Sequence, residues 1–338
     1  MNKRIRTILQ YSFFFGLGVF LVWWSIKDLT AGDKSQIQTA LSNAKYWLII
    51  PVFVILFLSH FIRALRWRLL IEPLGYFPSK TNTFFAVMIG YLANQAVPRL
   101  GEVLKCTALA RYEKIPADKL VGTIILERLI DAITLLTIFG ITLVIQPELY
   151  SQLLDTFFNS SQERQETKKL ATWMIALMIF GLLIIALGLW MYIKKKHVRD
   201  IHGLLLKIWR SVLQGISSIR HLKKRTLFVV YTILLWTLYL AGGYIGFSAL
   251  QETSHYGIKE AFTVLSAGSI GMIATPGGIG AYAYLIQQTM QLYGLSEGIA
   301  LAFGWILWLA QTAVVLIGGL ISFVALPYIN KTRKTETT

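Results

Sequence analysis

Long apolar runs alternate with short polar or basic segments along the chain. An α-helix needs about 20 apolar residues to cross the hydrocarbon core of a bilayer, and six runs approach or exceed that length. They lie at residues 8–26, 46–70, 121–145, 170–193, 226–250 and 299–326. The pattern therefore predicts an all-α polytopic membrane protein.

Two further apolar regions are broken by proline and glycine. Residues 83–97 end at Pro98, and residues 261–275 end at Pro276 and are followed by a short piece at 282–292. Broken backbone at membrane depth is tolerated only where it is buried in protein or lines a wet cavity, so we predict two re-entrant hairpins. Their turns are assigned to Pro98 and Gly101, and to Pro276, Gly277, Gly278 and Gly280. Counting each hairpin once gives eight apolar segments, although eight full crossings would satisfy the same pattern.

Basic residues set the predicted orientation, because lysine and arginine concentrate in cytoplasmic loops. Three lie within the first six positions and three follow the last apolar run, whereas the segment 27–45 contains no arginine and is predicted as an outer loop. We therefore expect both termini to be cytoplasmic. Residues 1–330 are predicted to form one multi-pass domain of the inner membrane, and residues 331–338 a polar cytoplasmic tail.

The two broken regions indicate an internal symmetry. On the predicted topology the hairpins enter the membrane from opposite faces, one in a first half at 1–146 and the other in a second half at 170–330. Inverted repeats with paired broken helices are typical of alternating-access transporters. Two unrelated proline–glycine kinks are the alternative.

The most basic segment lies between the halves. Residues 194–225 hold ten lysines and arginines against one acid, Asp200. Apolar residues recur there at steps of three and four, which predicts an amphipathic helix at 197–222 on the anionic cytoplasmic leaflet. Its role is either lipid recruitment or simple anchoring of the topology.

Composition excludes several classes of function. Of the 338 residues, 55% are hydrophobic, and the net charge of +16 comes from basic bursts at the ends of apolar runs. No phosphate-binding loop, zinc spacing or basic–aromatic recognition motif accompanies that charge, so nucleic acid is not an expected partner. The five histidines show no metal-ligand spacing, and no nucleophile motif is present. We expect no metal, no cofactor and no enzymatic activity.

The strongest candidate site consists of charges that abut apolar runs, where unpaired charge is costly. Its two groups have helical spacing and would lie at one level on the inner side of the membrane. Arginine donors suit a phosphate and carboxylates suit an amine, so the set fits a zwitterionic or phosphate-bearing lipid head group. A purely structural ion-pair network is the alternative. The candidates are Arg99, Glu102, Lys105, Glu127, Arg128 and Asp131. Arg63 and Arg66 are accessory candidates, which fit positive-inside anchors better than ligands.

Three motifs in this order are specific. They are Pro98-Arg-Leu-Gly-Glu-x-x-Lys105, Glu127-Arg-x-x-Asp131 and Pro276-Gly-Gly-x-Gly280. Together they resemble the lysylphosphatidylglycerol synthase transmembrane region family of flippase-like integral membrane proteins, and the resemblance spans nearly the whole chain. It implies a bacterial or archaeal inner-membrane protein with paired re-entrant segments and a role in lipid handling.

Departures from the family pattern bear on the activity. The best-known members carry a fused aminoacyl-transferase domain, whereas this chain ends at Thr338, so a stand-alone member is expected. The family often has an acid shortly after the second glycine turn, but residues 281–284 contain none, and Lys105 stands where arginine is usual. We expect a lipid flippase or transporter that binds membrane lipids. The alternative is a non-transporting scaffold that presents lipid to a separately encoded lipid-modifying enzyme.

Overall fold

The structure, a computed structural model, describes residues 3–27, 29–97, 99–146, 222 and 224–335, with side chains described from 15 to 331 within these ranges. The chain divides into two units, Met1–Thr142 with Arg220–Thr338, and Leu143–Ile219. Only residues 143–146 of the second unit are described. The contacts below therefore belong to the first unit.

Six helices precede the undescribed segment. They are α1 at Lys3–Ile26, α2 at Ala31–Ser42, α3 at Ile49–Ile71, α4 at Lys80–Ala96, α5 at Leu100–Glu113 and α6 at Ala117–Ile145. Single 3-10 turns at Tyr46–Leu48 and Glu72–Leu74 flank α3.

Four helices follow it. They are α7 at Arg225–Phe247, α8 at Ile258–Ala274, α9 at Ala281–Leu292 and α10 at Glu297–Thr335. A 3-10 turn at Pro276–Gly278 separates α8 from α9.

The predicted all-α polytopic membrane protein is confirmed. Four stretches within the described ranges are long and apolar enough to span a bilayer, namely Tyr46–Leu74, Ala117–Ile145, Arg225–Phe247 and Glu297–Lys331. A shorter apolar stretch, Phe15–Ile26, lies in α1. The predicted crossing at 170–193 and the turn residue Pro98 lie outside the described residues, as does the predicted amphipathic helix at 197–222 except for Leu222.

The segment 27–45 was predicted as a loop and contains a helix, so that part of the prediction was wrong; the membrane side on which the segment lies stays a prediction. Thr30 and Asp33 form a capping box: Thr30 Oγ1 accepts from the Asp33 amide at 3.1 Å, and Asp33 Oδ2 accepts from the Thr30 amide at 2.9 Å. Side-chain and backbone hydrogen bonds from Thr30 also lower the pKa of the Asp33 carboxyl. Such reciprocal capping satisfies amides that have no partner inside the helix, so α2 begins here in spite of its polar sequence.

The first broken region forms a helical hairpin from α4 and α5. Arg99 has a left-handed backbone at φ 67°, and the Gly101 amide donates to Asn94 Oδ1 at 2.8 Å. Gly101 itself lies in the first turn of α5, packed against the backbone of Gly90 in α4. The absence of a side chain at Gly101 therefore allows the two helices to approach closely.

The second broken region forms a similar hairpin from α8 and α9. Gly277 and Gly280 have positive φ angles of 59° and 72°, a conformation that glycine adopts without steric cost. Across the hairpin, Gly271 of α8 packs against the backbone of Tyr282 in α9. Each broken region is thus a pair of short helices that pack against each other at a glycine.

The tips of the two hairpins contact each other. The Gln95 side chain, near the end of α4, lies against Gly277, and Trp308 of α10 donates its Nε1 proton to the Gly277 carbonyl at 2.8 Å. On the other side of the second tip, Gly280 packs against Gly18 of α1. Gly277 thus leaves room for the Gln95 side chain where the two tips meet, and Gly280 lets the second tip approach the backbone of α1.

The order of helix lengths repeats. A long helix, two short helices and a long helix occur as α3–α6 and again as α7–α10, and the leading helices α3 and α7 pack against each other. The predicted division into halves at 1–146 and 170–330 stays a prediction. The membrane face from which each hairpin enters stays a prediction.

Candidate functional site

The site begins with two arginines on one face of α3. Arg63 and Arg66 lie three residues apart, so both side chains point toward α6. Arg63 Nη1 donates to Asp131 Oδ2 at 2.6 Å, and Arg66 Nη2 donates to Asp131 Oδ1 at 2.6 Å. The two guanidinium groups therefore share a single carboxylate.

Glu127 lies one helical turn before Asp131 and joins three cations. Its Oε2 accepts from Lys105 Nζ at 2.7 Å, while its Oε1 lies 3.2 Å from Arg63 Nη1 and 3.5 Å from Arg66 Nη2. The Glu127 side chain is 2% exposed. The Glu127 carboxylate therefore links α6, which carries it, to α3 and α5.

These five side chains form the buried network: Arg63, Arg66, Lys105, Glu127 and Asp131. Three cations face two carboxylates, so its formal charge is +1. Several guanidinium donors have no protein partner among the described residues, namely Arg63 Nε, Arg66 Nε and Arg66 Nη1. Buried donors without acceptors are costly. The network therefore offers both positive charge and hydrogen bonds to an anion.

Aromatic residues hold these cations in place. Lys105 Nζ lies 4.0 Å from the centre of the Trp67 ring, and Trp67 Nε1 donates to Thr123 Oγ1 at 2.9 Å. The Tyr239 hydroxyl accepts from Arg63 Nη2 at 3.3 Å. A cation over a buried indole is stabilised electrostatically, so Trp67 fixes the position of Lys105. Trp67 was not among the predicted site residues, although it directly follows Arg66 in the sequence.

A second ion pair lies outside the buried network and is called the mouth pair. Arg128 Nη2 donates to Glu102 Oε1 at 2.8 Å, and the two side chains are 52% and 28% exposed, respectively. Glu102 Oε2 is buried without a partner in the described part of the chain. Exposed ion pairs contribute little stability, so this pair separates at low cost.

A small cavity lies between the mouth pair and the buried network. Its volume is about 20 Å³, and its lining includes Arg63, Lys105 and Glu127 together with both residues of the mouth pair. A volume of this size holds about one water molecule. The cavity as it stands is therefore too small for a group much larger than water.

The predicted candidates do not all lie together. Four of them line the cavity: Glu102, Lys105, Glu127 and Arg128. Asp131 lies behind the cavity, where it pairs with Arg66. Arg63 and Arg66, predicted as accessory residues, occupy the centre of the buried network. Arg99 is exposed at the tip of the first hairpin, and within the described ranges its side chain has no hydrogen bond or ion pair. Among the described residues, the second-hairpin turn residue Gly277 approaches this region at the first tip, where Gln95 follows the cavity-lining Asn94. In the described part of the chain, no three His, Cys, Asp or Glu side chains are grouped as metal ligands.

Comparison with known proteins adds three findings. A profile of the family described as Lysylphosphatidylglycerol synthase TM region matches residues 9–319. The UPF0104 membrane protein MJ1595 of Methanocaldococcus jannaschii is 29% identical over 99 residues, which cover 28% of this chain and 30% of that protein. The chain thus aligns with less than a third of this curated relative. No solved structure matches this sequence significantly.

Proposed function

Because this multi-pass membrane protein belongs to the lysylphosphatidylglycerol synthase transmembrane region family, we propose that it is a lipid flippase or lipid transporter. It binds a phosphate-bearing head group at the cavity beside the first hairpin and passes it along the contact between the two hairpins, in the inner membrane, with both termini in the cytoplasm. The acyl chains stay in the bilayer. The chain acts in binding and movement of the lipid, without an enzymatic step.

The observation that carries this proposal is the partly unpaired positive charge beside the cavity. Arg63 and Lys105 line the cavity, and Arg63 Nε has no partner in the described part of the chain; Arg66 adds positive charge behind the cavity. Phosphate oxygens accept several charge-assisted hydrogen bonds at once, and arginine is well suited to supply them. A phosphate that enters as the mouth pair opens finds these donors already in position.

The contact between the hairpin tips is the place where the protein would open to let the lipid pass. The tips meet where Gln95 packs against Gly277, and the cavity lies on the first-hairpin side of that contact, lined by Gly90 and Asn94. Separation of the tips would connect the cavity to the opposite half. Paired broken helices around a central site are the arrangement that alternating access uses. No nucleotide-binding motif occurs in the sequence, so movement follows the lipid gradient or an ion gradient.

Transbilayer movement of labelled lipids tests the proposal. Purified protein is reconstituted into liposomes with fluorescent lipids of different head groups, and accessibility of the label to a membrane-impermeant reductant is followed over time. We expect faster loss of inner-leaflet label than in protein-free liposomes. If folded protein moves no lipid, transport is refuted, and co-purification would then identify an enzyme to which the protein presents lipid.

A further inference from the structure

We infer that the transported head group carries one net negative charge, as a phosphodiester with an uncharged alcohol does. This inference rests on the proposed function and specifies its substrate class. It follows from the charges that line the cavity between the mouth pair and the buried network.

Five charged side chains line that cavity. Arg63, Lys105 and Arg128 supply three positive charges, and Glu102 and Glu127 supply two negative ones, which gives a formal charge of +1. Behind the cavity, Arg66 and Asp131 add one charge of each sign, so they leave the sum at +1, although Asp131 also accepts from Arg63. The enclosed site is thus one negative charge short of neutrality.

The net charge of the bound head group determines how much uncompensated charge remains in the cavity once the head group has displaced water from it. A singly anionic phosphodiester makes the lining neutral. A zwitterionic head group leaves one positive charge, a cationic head group leaves more, and a dianionic phosphomonoester leaves a negative one. Uncompensated charge in a desolvated site is costly, so the singly anionic class is preferred.

The hydrogen-bond inventory favours the same class. Arg63 is 7% exposed, and its Nε has no partner in the described part of the chain. Arg128 also becomes free when the mouth pair parts. These donors need acceptor oxygens, which a phosphodiester provides, and a hydroxyl of the uncharged alcohol can donate to Glu102 Oε2, which has no partner in the described part of the chain.

A comparison of transport rates for three head groups, in vesicles of the same composition, tests this inference. Proteoliposomes receive trace labelled phosphatidylglycerol, phosphatidylethanolamine or phosphatidic acid, all with one acyl-chain label. We expect phosphatidylglycerol to move at least about tenfold faster than phosphatidylethanolamine, as the lower end of close charge-pair energies implies. Glu102→Gln raises the cavity charge to +2 and should shift preference toward phosphatidic acid, which carries about −1.5 to −2 charges.

Glu252→Gln provides the matched control, because it removes the same charge from an exposed position outside the site. Loss of folded protein would slow every lipid equally, so the readout is the ratio of rates. A wild-type protein that moves phosphatidylethanolamine as fast as phosphatidylglycerol, or a Glu102→Gln variant with unchanged ratios, overturns the inference and leaves transport standing. Movement of no lipid refutes the proposed function itself.

Discussion

Glu127→Gln is expected to lower the free energy of unfolding by about 3–5 kcal/mol, the usual cost of removing one partner from a buried ion network. Glutamine has nearly the size of glutamate but no charge. Lys105 would then lose the carboxylate that it contacts, and Arg63 and Arg66 would keep only Asp131, at a position where the Glu127 side chain is 2% exposed. Thermal or denaturant unfolding of the purified protein in detergent measures the loss.

Glu102→Gln is the matched comparison, since it makes the same chemical change in the mouth pair. Glu102 is 28% exposed and faces Arg128, which is 52% exposed. We expect a change of at most about 1 kcal/mol, as for other exposed ion pairs. Equal destabilisation by the two substitutions would contradict the division into a buried network and a mouth pair.

Gly101→Ala is expected to destabilise the first hairpin by about 1–3 kcal/mol or more, as overpacking of close contacts does. A methyl group at this position would overlap the carbonyl oxygen of Gly90 and the side chain of Asn94. The backbone oxygen cannot rotate away, so α4 and α5 must move apart. Because Lys105 lies one turn later on α5, its bond to Glu127 would also lengthen. The unfolding midpoint and the lipid-movement rate should both fall.

Gly122→Ala controls for the general effect of adding a methyl group to a helix. Gly122 lies within α6 with no atom near the place where the methyl group would stand. Alanine is favoured over glycine in helices by up to about 1 kcal/mol, so this variant should be neutral or slightly stabilised. If Gly101→Ala behaves in the same way, the close approach of α4 and α5 is not a structural requirement.

Much of the fold follows from local sequence. Apolar run length predicts the long helices, and proline with glycine marks both breaks, because these residues act on the backbone where they stand. Helix α2 was not predicted, because its polar composition is typical of a loop and the Thr30–Asp33 capping box is a short signal.

The candidate site was predictable only in part. Spacing places Lys105 beside Glu102, and Asp131 beside Glu127, since residues three or four apart share a helix face. The partnership of Arg63 with Asp131 spans 68 residues and depends on how α3 packs against α6. No local pattern carries that information, so Arg63 was ranked as accessory. Arg99 was grouped with the others by proximity in sequence, but the left-handed turn leaves its side chain exposed.

In the proposed mechanism, the buried network joins the helices and supplies donors to the phosphate, while Arg128 of the mouth pair engages the lipid as it enters. The most direct test of this mechanism is lipid movement by Arg128→Gln, compared with Arg111→Gln, which removes an exposed arginine on α5 outside both groups. We predict that Arg128→Gln loses at least about 90% of the rate, since close charge pairs contribute at least tenfold, with an unfolding midpoint like that of wild type. Arg111→Gln should retain both. An unchanged rate in Arg128→Gln, or a loss explained by unfolding, would contradict the account.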